Sequence, residues 1–192
     1  GHKAFDIVSN PQLSFAEAAA RRDFTINAIA YDPLAHAVID PFHGVDDLHA
    51  RILRHTSDKF PEDPLRVLRA MQFVARFELA VAPETLAVCR AMAPENLAAE
   101  RIFQEWRTLL LKGVDIARGL EFLRASAWVQ FYPELEALIG CAQDPRWHPE
   151  GDVWTHTLLS LNSFAAARTG DAWDDLVVGC AVLCHDFGKP GT

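Results

Sequence analysis

No stretch of the chain is apolar for the roughly 20 residues that a membrane-spanning helix needs, and no secretory signal opens it. The sequence therefore reads as cytoplasmic, with no membrane partner. Its four cysteines, Cys89, Cys141, Cys180 and Cys184, form no C-x-x-C pair and no disulfide-like spacing, so they read as reduced thiols. Repeats and low-complexity tracts are absent. Basic residues are outnumbered 18 to 26, and the net charge of −8 argues against a simple basic nucleic-acid binder.

Half of the 192 residues are apolar, enough for one sizeable core or two small ones. The charge is unevenly spread. Residues 51–107 carry a net +1 and half of all Lys and Arg, whereas the segments before and after them carry −4 and −5. A locally basic segment in an acidic chain is compatible with a phosphate-bearing partner held at one place.

The first fifty residues read as mixed structure. "AFDIVS" alternates like a short strand, "SFAEAAARRDFTINAIAY" reads as one or two helices feeding a strand, and "AVIDPF" is a second strand stopped at Pro41. In "DPFHGVDDL", Asp40, Gly44 and Asp47 suggest a turn that caps the next helix, with Gly44 supplying backbone freedom. From Asp63 onward the pattern is helical, over 64–79, 83–92, 99–112, 114–126, 133–139, 152–168 and 173–184, with breaks at Pro83, Pro94, Pro133, Pro145 and Pro149. Two short strands cannot close a sheet over a core. The chain therefore reads as an internal piece of a longer protein, beginning in the tail of an α/β or α+β domain.

Three sets of residues carry candidate chemistry. The first lies in "FPEDPLRVLRAMQFVARF", where Asp63 is expected at the N-cap and Pro64 at the first helical position. At 100° per residue, Arg66, Arg69, Gln72 and Arg76 fall within an arc of about 120°, opposite Leu68, Met71, Val74 and Ala75. A solvated charged face would account for such a stripe, but not for Arg66, a cation in the first turn where the helix dipole disfavours it. Asp63 only accepts hydrogen bonds and Arg66 only donates them. Side by side they match the Watson–Crick edge of cytosine or adenine, each an amino donor beside a ring-nitrogen acceptor, and would set oxygen against the carbonyl of guanine or uracil.

The second set is Arg22–Asp23 in "RRDFTINAIAYDP", either an ion-paired helix terminus or an arginine for a triphosphate beside an acid for a ribose hydroxyl. The third is "RWHPEGDVWTHTLLSL" with "AVLCHDFGKP", where His156 and His185–Asp186 offer imidazole and carboxylate to a divalent transition metal or magnesium, and Lys189 offers a cation to a phosphate. His148, Glu150 and Asp152 receive no ligand role. Cys180 and Cys184, one helical turn apart, read as core.

"RRDFTINAIAYDP", "DPFHGVDDL", "EDPLRVLRAMQFVARF" and "ERIFQEW" resemble, in order and spacing, the bacterial-type (class II) tRNA nucleotidyltransferases, the CCA-adding enzymes and their poly(A) polymerase relatives. The C-terminal motifs resemble the HD phosphohydrolases, whose metal site uses H…HD…D. The resemblance implies a mainly α protein: the C-terminal part of a mixed α/β nucleotidyltransferase head over 1–55, a helical neck and body over 56–140, and the start of an all-α HD domain over 141–192. It implies that Arg22 and Asp23 contact the phosphate and sugar of an incoming nucleotide. Asp63 and Arg66, with Arg69 nearby, would select CTP and then ATP for addition to the 3′ acceptor end of tRNA. Glu100, Arg101 and Glu105 would brace the neck, and Gln72 stands where the family often has another arginine. No catalytic residue is assigned in this chain. The Gly-Gly turn and the Asp-x-Asp pair that binds two magnesium ions are expected upstream of Gly1, and the last HD ligand beyond Thr192, so the chain alone is expected to be inactive. A poly(A) polymerase or A-adding enzyme, a non-catalytic RNA-binding piece, and a phosphohydrolase are the competing readings. Oligomeric state is not read from the sequence.

Overall fold

A computed structural model of the chain describes residues 12–191; the strand expected over residues 4–9 lies outside them. The opening segment forms α1 (Phe15–Ala19), a 3₁₀ turn at Thr25–Asn27, and the antiparallel pair β1 (Ala30–Asp32) and β2 (Ala37–Ile39), with Tyr31 opposite Val38. α1 begins where Ser14 and Glu17 cap each other reciprocally. α2 (Gly44–Ala50) follows, and Asp40 is its cap: the two carboxylate oxygens accept the amides of Gly44 and Val45 at 2.8 Å each.

The other two turn residues correct the sequence reading. Asp47 lies inside α2, where it accepts from Thr25 Oγ1 at 2.7 Å and from the Arg54 guanidinium. Gly44 is required by close approach rather than by dihedral freedom, because a Cβ there would meet the Thr25 carbonyl oxygen at 2.1 Å. The residue that takes the left-handed conformation is His43, at φ 57°.

β3 (Ile52–Leu53) pairs in parallel with β4 (Ala80–Val81), bracketing α3 (Leu65–Phe77). Neither strand was legible, since two residues carry no alternation. After them come α4 (Pro83–Arg90), α5 (Ala99–Lys112), α6 (Ile116–Ala125), a 3₁₀ turn at Trp128–Phe131, the short α7 (Pro133–Glu136), α8 (Val153–Ala167) and α9 (Ala172–Cys184). The expected helix over 133–139 shrinks to those four residues of α7. Asp115, Asp152 and Asp171 cap α6, α8 and α9 through side-chain oxygens on the first-turn amides.

α3 is the centre. α5 and α6 pack on it, α5 touches α9, and α6 and α9 both meet α8. Leu68, Met71, Val74 and Ala75 are buried in this packing, as their stripe predicts. Gly119 lets α6 come close, for a Cβ there would lie 2.9 Å from the Met71 carbonyl oxygen. The Ala75 carbonyl also accepts the amides of Val114 and Asp115 at 2.9 Å each, fixing the turn into α6. One cluster of buried side chains runs from Phe24 through α3, α5 and α6 to Phe164. Cys89 and Cys180 join or line this core, but Cys184 is exposed, which corrects its assignment as core. Among the described residues no helix is long and apolar enough to cross a membrane.

His55 gives this packing a pH dependence. Its backbone amide donates to Thr85 Oγ1 at 2.9 Å, its Nδ1 lies 2.8 Å from the same oxygen, and its ring stands edge-on to Phe60. Burial, and secondly the Arg54 charge, hold its pKa below the ordinary value of 6.5. The unfolded chain therefore takes up a proton first as pH falls. The stability that the neutral ring contributes is present above about pH 6.5 and is lost from there down to the folded pKa. Thermal melting should show a loss of stability between pH 7 and 5 that is shallower in His55→Gln. Parallel pH profiles for the two proteins would refute it.

Candidate nucleotide-selecting site and metal cluster

Asp63 sits between a 3₁₀ turn at Phe60–Glu62 and α3, in extended backbone conformation. Its Oδ1 accepts the amide of Leu65 at 3.2 Å, so it caps α3 as expected, although the regular helix starts after Pro64. Its Oδ2 accepts from Arg101 Nη2 at 2.7 Å, from the first turn of α5. Arg66, in the first turn of α3, reaches back to the chain that precedes the helix. It donates through Nη1 to the Lys59 carbonyl at 2.6 Å and through Nη2 to the Arg21 carbonyl at 2.7 Å, with the guanidinium over the Phe60 ring. Asp63 and Arg66 thus occupy neighbouring positions at the head of α3, each held by a different part of the chain.

Arg69 reaches back across 46 residues to Asp23 Oδ2 at 2.5 Å and lies 3.8 Å from Glu105 on α5. Asp23 is 5 % exposed, and its Oδ1 takes the Asn27 side-chain amide and the Phe24 backbone amide. It is part of a bonded network, and its neighbour Arg22 is the exposed member of the pair. Burial raises the Glu105 carboxyl above the usual range, against the pull of Arg69. These contacts join the opening segment, α3 and α5, with Arg101 and Glu105 tying α5 to α3. Glu100, just before Arg101 in sequence, is exposed.

The arginine stripe needs one correction. Gln72 is 3 % exposed, not part of a solvent face, and its Oε1 accepts from Arg76 Nη1 at 2.9 Å. A neutral amide fits there because it can be buried once hydrogen-bonded, which an unpaired cation could not be.

The second cluster gathers at the C-terminal end of α9 and the start of α8. His156 lies in the first turns of α8, while His185 and Asp186 end α9. Ligand atoms of these three lie within 4.8 Å of one another, as do those of His148, Glu150 and His156. Asp186 is buried. Its Oδ2 is sealed from solvent and makes no well-formed hydrogen bond, but lies 2.8 Å from Lys189 Nζ and 3.3 Å from His185 Nε2. Lys189 also donates to Gln143 Oε1 at 2.7 Å, so its ammonium lies between that amide and Asp186. Glu150, to which the sequence gives no ligand role, lies against two of these rings. Its Oε1 lies 2.6 Å from His156 Nδ1 and 3.0 Å from His148 Nδ1. The carboxyl is held down at about 2, first by its own backbone amide and then by the two imidazoles. Asp152 is a helix cap instead, bonded to Thr155 and to the Gly140 amide.

A family model described as the Poly A polymerase head domain matches residues 3–54. Another, described as the probable RNA and SrmB-binding site of polymerase A, matches residues 78–139. The multifunctional CCA protein of Halorhodospira halophila is 43% identical over 98% of this chain, and that of Azoarcus sp. is 43% identical over 100% of it. Each match takes in 46% of the relative, so the chain spans about half the length of the curated relatives it matches. A solved Bacillus stearothermophilus CCA-adding enzyme in complex with CTP is 39% identical over 57% of this chain and 29% of its own, with a TM-score of 0.53. A tRNA-processing enzyme in an apo form shares the fold over 89% of this chain and 49% of its own, with a TM-score of 0.64 at 23% identity. With motifs, fold and relatives in agreement, the chain belongs to the CCA-adding nucleotidyltransferase family, that of the multifunctional CCA proteins.

Proposed function

We propose that this chain is the nucleotide-selecting and RNA-holding part of an enzyme that adds CCA to the 3′ end of tRNA from CTP and ATP, with no nucleic-acid template. The observation that carries this reading is the acceptor and the donor at the head of α3. Asp63 keeps lone pairs beyond those used by Leu65 and Arg101, and Arg66 keeps N–H donors beyond the two spent on carbonyls. Anchored in this way, the guanidinium has a fixed direction, which is what reading a base edge needs. Arg69 locks α3 to Asp23, so Arg22 and Asp23 stand at the same end of the helix as the selecting pair. Arg22 is assigned to the nucleotide phosphates. Asp23 supports the site through Arg69, and its part at the ribose is the family's implication. The head domain's magnesium ions would supply charge stabilisation at the reacting phosphate. The test uses the complete protein and a tRNA lacking its terminal CCA. CTP alone should add two C residues, CTP with ATP should complete CCA, and GTP or UTP should add nothing. Failure to incorporate C would make the protein an A-adding relative.

A second activity is proposed for the C-terminal cluster, as the start of an HD phosphohydrolase domain within the division 1–55, 56–140 and 141–192. The residues fit a divalent cation: two imidazoles and a buried carboxylate whose Oδ2 lacks a well-formed hydrogen bond. Such an ion, a transition metal or magnesium, supplies Lewis acidity toward a phosphoester. His156, His185 and Asp186 would hold it, and Lys189, beside Asp186, would face the phosphate.

A further inference from the structure

We propose that Glu150 is a positioning residue for the metal cluster: it fixes His156 as the tautomer whose Nε2 is bare and turned to bind a cation. The inference rests on the metal reading of His156, His185 and Asp186. A carboxylate can only accept, so the His156 nitrogen 2.6 Å from Glu150 Oε1 must carry the proton, and that nitrogen is Nδ1. In a neutral ring the lone pair is then left on Nε2. His185 is prepared in the same sense by a different group, since its Nδ1 lies 2.7 Å from the Val182 carbonyl oxygen, another pure acceptor.

Both rings thus present Nε2. At 3.3 Å from Asp186 Oδ2, the His185 lone pair faces a buried carboxylate oxygen, an arrangement that a positive charge beside them relieves. Lys189 supplies one at 2.8 Å. A carboxylate behind a metal-binding histidine orients the ring and raises its basicity, and its loss typically costs about 10–100-fold in affinity. Glu150 suits this task better than direct coordination, because separations of 2.6 and 3.0 Å to two Nδ1 atoms are those of charge-assisted hydrogen bonds. His148 shares the same oxygen and stands edge-on to His156 with ring centroids 4.8 Å apart, steadying the carboxylate from its other side.

The test takes the complete protein, wild type and variants, with Co²⁺ as probe. Affinity is measured by competition with a chromophoric chelator, and the His156 tautomer by ¹⁵N NMR of the metal-free imidazoles. Glu150→Ala is expected to weaken Co²⁺ binding about 10–100-fold and to shift His156 away from the Nδ1–H form. At saturation the Co²⁺ visible spectrum should keep its wild-type shape. Glu150→Gln, whose amide oxygen still accepts from Nδ1, should recover most of both. Affinity within twofold of wild type in Glu150→Ala, or an unchanged tautomer, would overturn the positioning role alone. So would a Co²⁺ spectrum altered as in His156→Ala, which would make Glu150 a ligand. Wild-type protein that takes up no Co²⁺ would overturn the metal reading together with this proposal.

Discussion

In the complete protein, Asp63→Ala is expected to lower the preference for CTP and ATP over GTP and UTP by about 100-fold. The magnitude follows from what the carboxylate does to a wrong base. Guanine and uracil would set a carbonyl oxygen against Asp63, leaving polar groups unpaired at a cost of about 1–3 kcal/mol, and more where a charge is involved. Each 1.4 kcal/mol is about a factor of ten. Alanine removes that penalty and the matched acceptor together, so correct nucleotides should be used less well and wrong ones better. The helix itself should survive, because only one first-turn amide and the Arg101 contact depend on this side chain. Single-nucleotide extension assays with each of the four triphosphates read the result. A variant as selective as wild type would remove Asp63 from base recognition.

Trp128→Ala should be among the most destabilising single changes, at about 3–5 kcal/mol. The ring is fully buried and stands edge-on to Phe131. Its Nε1 donates to the Cys89 carbonyl at 3.0 Å, tying the end of α4 to the turn after α6. Alanine leaves both a cavity and an unsatisfied buried carbonyl. Trp128→Phe keeps much of the volume and loses only the donor, so it should cost about 1–3 kcal/mol. Urea unfolding followed by circular dichroism separates the two terms. A loss under 1 kcal/mol for the alanine variant would mean that this contact is not structural.

These two residues mark what could and could not be read from the chain. The Asp63 cap and the apolar stripe of α3 are local properties, set by dihedral preference and a period of 3.6, and they were legible. The partners were not. Arg69 finds Asp23 46 residues away and Arg101 finds Asp63 38 residues away, and no local pattern carries such pairings. Gln72 illustrates a second limit. Its place on an arginine stripe reads as solvated, yet an amide satisfied by Arg76 can be buried. Gly44 illustrates a third, since its need comes from the Thr25 backbone pressing on it, invisible until the chain is folded. At the metal cluster, His156 and His185–Asp186 were legible as ligand types. The hydrogen bond that makes Glu150 relevant depends on how the loop over 148–152 lies against α8.

α5 is held at both ends. At its head, Arg101 grips Asp63. At its tail, the Arg168 guanidinium takes the carbonyls of Leu110 at 3.0 Å and Gly113 at 2.5 Å, along with Ala165 on α8, the helix that carries His156. Fourteen helical residues span about 21 Å, too short and too well bonded to bend easily. α5 is therefore a beam shared by the end that holds Asp63 and the end near His156, with α3 on one flank and α9 on another. A cut between 140 and 152 would leave one piece without a wall it depends on, so the two proposed sites share a single frame.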